Sequence, residues 1–78
     1  MPRFYFHLHG GMDIVDSEGA ELPDPDAARR YAHEAACDLM REDLRLGRMV
    51  LHQWIEVVGE HGERVLSLPF SAAVDIGH

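Results

Sequence analysis

The sequence predicts an α+β fold: a small, mostly antiparallel sheet with one amphipathic helix packed on one of its faces. Three observations carry that reading. The stretch from Asp24 to Gly47 has helix start and stop signals at its ends and a helical apolar period between them. The segments on either side of it alternate apolar and polar residues, as half-buried strands do. With 78 residues and no internal repeat, low-complexity tract or linker, the chain reads as a single domain spanning residues 1–78.

From Arg3 to His9, Phe4, Phe6 and Leu8 point one way and Tyr5, His7 and His9 the other. Gly10 and Gly11 permit a tight turn, and Met12 to Val15 is expected to return as the second strand of a hairpin. Asp16, Ser17, Glu18 and Gly19 have turn chemistry, and Ala20 to Leu22 forms a third, very short strand that Pro23 ends. In the helix, Asp24 can accept from the first free amides, Pro25 sits where a missing N–H costs nothing, and Asp26 favours the positive dipole end. At 100° per residue, Ala28, Ala32, Ala35, Ala36, Leu39, Met40 and Leu46 share the core arc, and Arg30, Glu34, Asp38, Arg41, Glu42 and Arg45 the solvent arc. Gly47 can take the left-handed conformation that stops a helix, with Arg41, Arg45 and Arg48 near the negative dipole end. Asp43 falls in the apolar arc, so either the last turns overhang the sheet or its carboxylate has a partner; the overhang is the simpler account.

Alanine dominates the buried arc, so the bulk of the core must come from the strands. After a connector, Arg48 to Leu51, the strand Gln53 to Val58 supplies Ile55 and Val57 to one side and Trp54, Glu56 and Val58 to the other. Gly59 to Gly62 is a hairpin loop, and Glu63 to Phe70 returns with Leu66, Leu68 and Phe70 inward; Pro69 places this strand at an edge. Ser71 suits the cap of a final turn through Ile76, a frayed tail being the alternative. The element order is ββ(β)αββ. A right-handed crossover through the helix sets the Gln53 strand beside and parallel to the first, and the strands in chain order then lie 3-2-1-4-5. The face away from the helix carries Tyr5, His7, His9, Trp54, Glu56, Val58, Val65 and Ser67, and no element remains to cover it.

A formal charge of −7 disfavours nucleic acid, because phosphate binding needs a basic patch; a basic protein partner fits better. The lone Cys37 excludes an intramolecular disulfide and a multi-cysteine zinc site, and its place at the edge of the helix's buried face is that of a packing residue. No apolar run approaches the roughly 18 residues of a membrane span, and the start lacks a signal-peptide pattern, so a cytoplasmic protein without membrane contact is expected. No P-loop, dinucleotide fingerprint or nucleophile elbow is present and no cofactor is implied. The acidic run Asp13, Asp16, Glu18, Glu21, Asp24 and Asp26 lacks the spacing and terminal glutamate of an EF-hand loop, and turn formation and helix capping account for it.

Two clusters remain as candidate sites. His7 and His9 project from one strand face roughly 7 Å apart, and with His52 or Glu56 nearby they are the candidates for an imidazole-loving metal; H-x-H also arises readily by chance, and a solvated or interfacial face is the plainer account. Tyr5 and Trp54 on the same face are rigid amphipathic side chains of the kind found at contact centres. The expected partner-binding set is therefore Tyr5, His7, His9, Trp54, Glu56 and Val58.

Pro2, heading a strand once Met1 is removed, resembles the tautomerase superfamily, in which an N-terminal proline is the general base; the Gly10 to Leu22 segment departs from that pattern. MPRFYFHLHGG, DSEGAELPDPDAARRYA and GEHGERVLSLPF together resemble a family of short bacterial proteins, a domain of unknown function, and this likeness spans nearly the whole chain and implies no activity. DIVDSEGAELPDPDAARRYAHEAA resembles HicB-like antitoxin domains more loosely, which would imply a non-catalytic RNase H-like fold that blocks a small basic toxin; these residues contain no DNA-binding helix pair or ribbon, and the Glu63 to Phe70 strand is extra. The expectation is a non-enzymatic module that self-associates or binds a protein, with the antitoxin-type inhibitor and the Pro2 enzyme as alternatives.

Overall fold

A computed structural model describes residues 1–11, 13–47 and 52–74. In chain order the elements are β1 (Arg3–His9), β2 (Ala20–Glu21), α1 (Pro25–Arg45), β3 (Trp54–Gly59), β4 (Arg64–Pro69) and α2 (Phe70–Val74). The four described strands form one sheet in the order β2-β1-β3-β4, and every neighbouring pair is antiparallel. The α+β class and the single helix layer are as the sequence predicts; the strand order is not.

Two differences account for the new order. The expected strand from Met12 to Val15 shrinks to one bridge, in which Leu8 and Ile14 exchange both backbone hydrogen bonds at 2.9 Å; Met12 itself lies outside the described residues. The ladder stops there because the Asp16 carboxylate accepts from the Phe6 N–H at 3.1 Å, taking the place of a strand backbone. The chain rejoins β1 only at β2, where Phe4 pairs with Ala20 and Arg3 with Glu21. The second difference is the direction of β3, which runs antiparallel to β1 rather than parallel. The crossover through the helix starts from β2, so β3 is parallel to β2, and β1 lies between them.

Helix α1 begins as its sequence dictates, with Asp24 Oδ1 accepting from the Ala27 N–H at 2.8 Å. It ends at Gly47, whose φ of +80° is the left-handed stop and whose N–H donates to the Leu44 carbonyl at 3.0 Å. Ala27, Ala28, Ala32 and Ala36 are buried, but Leu39 and Leu46, expected in the core, are 41% and 59% exposed. Length is the cause. The helix of 21 residues is about 30 Å long, whereas the seven residues of β1 reach about 23 Å. The last turns, where Leu44 and Leu46 are exposed, pass beyond the sheet.

The core is Phe4, Ile55, Val57 and Phe70 under Ala28, Ala32, Ala36 and Ala73, ringed by half-buried residues that include Phe6, Leu8, Met40, Leu66 and Leu68. Tyr31 extends this cover, its ring 4.6 Å from that of Phe6. Helix α2 begins at Phe70, so Ser71 lies inside it rather than capping it. The Phe70 N–H donates to the Gln53 carbonyl at 2.9 Å and its ring is fully buried. Strand β4 is an edge strand, as Pro69 requires. Its register slips opposite Val57 and Val58, so Leu66 pairs with Val57 but Arg64 with Val58. This bulge turns Val65, expected on the open face, against the core, and leaves Arg64 beside Val58 instead. The expected connector at residues 48–51 and the end of the final turn at Ile76 lie outside the described residues.

Candidate functional site

The antiparallel register of β1 and β3 places the six candidate residues as three cross-strand pairs on the sheet face away from α1: Tyr5 opposite Val58, His7 opposite Glu56, and His9 opposite Trp54. No described helix or strand covers this face. Trp54, 39% exposed, lies tilted over the His9 ring with 5.4 Å between centroids. Its close approach needs the glycine that follows β1, Gly10, where φ is +97° and an added Cβ would come 2.8 Å from the His52 carbonyl oxygen and 3.2 Å from the indole.

Beneath the indole runs a polar network. His9 Nε2 lies 2.9 Å from Glu56 Oε1, and His9 Nδ1 lies 3.6 Å from Asp13 Oδ1, so the imidazole stands between two carboxylates. Arg64 Nε donates to the second oxygen of Glu56 at 3.3 Å. The bond from His9 holds the Glu56 carboxyl below its ordinary range, and Arg64 adds to this against the opposing effect of desolvation.

A second node sits one pair further along. His7 Nδ1 accepts from the Asp16 N–H at 3.0 Å, which puts the proton of the neutral ring on Nε2. Asp16 in turn takes the N–H groups of Phe6, Glu18 and Gly19 at 3.1 Å each. Desolvation works against its charge, but the amides of Gly19, Phe6 and Glu18 outweigh it and lower the carboxyl's pKa. Asp16 and Arg64 were not among the expected site residues. For Asp16 the D-S-E-G turn was the visible signal, pointing to local structure rather than to the edge of β1; for Arg64 only the bulge reveals the face.

The expected metal candidates do not converge. The rings of His7 and His9 are 6.5 Å apart, His52 is exposed, and among the described residues no three His, Cys, Asp or Glu side chains are grouped as a metal needs. Pro2 is exposed at the head of β1, its carbonyl accepting from the Leu22 N–H at 3.1 Å. The adjacent Arg3 guanidinium is engaged with the Glu18 carbonyl at 2.7 Å and Glu21 at 3.2 Å, which occupies the cation nearest that proline. Cys37 is half-buried beside His33, Sγ to Nδ1 3.9 Å. No helix among the described residues is long and apolar enough to cross a membrane.

A family model described as a domain of unknown function, DUF6894, matches residues 3–71. None of the curated proteins and none of the solved structures matches the chain. These comparisons do not confirm the likeness to HicB-like antitoxin domains.

Proposed function

The chain belongs to the DUF6894 family, a domain of unknown function, and from its geometry we propose that it is a non-enzymatic association module of the bacterial cytoplasm whose open sheet face packs on the same face of a second copy. The observation that carries this reading is Trp54, exposed on a face that no described helix or strand covers, within three cross-strand pairs that also include the half-buried Tyr5.

Two further features support it. Among the described residues the buried apolar core consists of nine, five of them alanine. A fold with so little interior is stabilised by a partner. The face also carries both signs of charge, with Arg64 73% exposed beside the acidic groups Glu56 and Asp13, and a twofold contact places such groups opposite their complements.

Sedimentation velocity at about 100 µM, a concentration suited to affinities in the micromolar range, tests the proposal. The unmodified protein is expected to run as a dimer, and the paired substitution Tyr5→Ala and Trp54→Ala as a monomer with an unchanged circular dichroism spectrum. A monomeric unmodified protein, or a dimer that survives both substitutions, overturns it. A basic protein captured from native lysate by that face in place of a second copy would redirect the reading to the antitoxin type.

A further inference from the structure

On the helix side of the sheet, Arg29, Arg30, His33 and Glu34 of α1 line a groove of about 500 Å³ together with Leu68 of β4 and Ala72 of α2. Charge accounting singles it out. Arg3 pairs with Glu21, Arg41 with Asp38, Arg45 with Glu42 and Arg64 with Glu56. Among the described residues, Arg29 and Arg30 are the arginines with no carboxylate partner, in a chain whose formal charge is −7. They neighbour one another over an apolar floor, and His33, whose Nδ1 is turned to Cys37, keeps Nε2 for a further bond.

A guanidinium fork matches a carboxylate, and a cleft that is mostly apolar with a few polar groups is the usual form of a small-molecule site. Glu34 limits the charge: two arginines against one glutamate leave a single positive charge for a ligand, which suits a monoanion and disfavours a polyanion. We propose that this groove binds a small monocarboxylate with an apolar body, the carboxylate held by Arg29 and Arg30 and the body resting on Leu68 and Ala72.

Titration of the ¹⁵N-labelled full chain with hexanoate, hexanol and inorganic phosphate tests this. Hexanoate is expected to produce saturable shifts at residues 29–34, 68 and 72 with a dissociation constant of about 1 mM. Hexanol and phosphate, each lacking half of the required chemistry, should bind at least about tenfold more weakly. Replacing both arginines, Arg29→Gln and Arg30→Gln, is expected to weaken hexanoate by about tenfold while leaving the remaining spectrum unchanged, since both side chains are exposed. Equal binding of hexanol or of phosphate, absence of saturation, or an unaltered affinity in the double variant overturns the assignment. The groove lies on the opposite side of the sheet from Trp54, so this outcome is independent of the dimer test.

Discussion

The two faces of β1 and β3 are built from the same strands and differ in every consequence. On the helix side, Phe4, Phe6, Leu8, Ile55 and Val57 meet alanines, and the attraction is non-directional and proportional to area. On the other side the intervening residues, Tyr5, His7, His9, Trp54, Glu56 and Val58, present rings and charges whose value depends on angle and distance. Alternation by one residue thus divides holding the fold together from presenting a surface. The covered face is held by packing of suitable volume, whereas the open face carries the Asp13, His9, Glu56 and Arg64 contacts.

That contrast can be broken most forcefully from the covered side. Phe70→Ala empties a fully buried position and is expected to cost about 3–5 kcal/mol, enough to abolish a cooperative thermal transition in so small a domain; a normal melting curve would show that the core is not where stability resides. Asp16→Ala, at the junction of the two faces, strands the amides of Phe6, Glu18 and Gly19 and should cost about 2 kcal/mol in urea unfolding at neutral pH. Because the Asp16 pKa is lowered in the fold, its contribution is complete above the ordinary carboxylate pKa of about 3.9 and is lost as pH falls through the lowered value. The gap between this variant and the unmodified protein should therefore narrow on acidification below about pH 4; a gap that widens there contradicts the assignment. Asp24→Ala removes the helix cap and is expected to cost about 1 kcal/mol, seen as a parallel shift of the same curve. Arg64→Ala, confined to the open face, should change monomer stability by no more than about 0.5 kcal/mol, and a larger loss would mean that this face also holds the fold.

The covered half was the more legible of the two in the sequence. The period and caps of α1 give its start at Asp24 and its stop at Gly47, because those signals act within a few residues of one another. Leu39 and Leu46 misled because angular position says nothing about where the sheet beneath a helix ends. The open face was legible as a set, since alternation is local, yet its internal order was not. Whether β3 runs with or against β1 depends on which strand feeds the helix, and that turned on Asp16 replacing the backbone of the expected second strand. The shift at Val65 lay hidden for the same reason: a bulge is a mismatch between two strands and leaves no mark on either alone.

The margins of the sheet bear on how such a molecule can accumulate. At one border β4 offers a kink at Val65 and a missing amide at Pro69. At the other, β2 is two residues long, and a carboxylate rather than a peptide group meets β1 between Ile14 and Ala20. Among the described residues neither border provides a straight row of donors and acceptors on which another polypeptide could add rung after rung, a shape that works against edge-to-edge growth of the sheet.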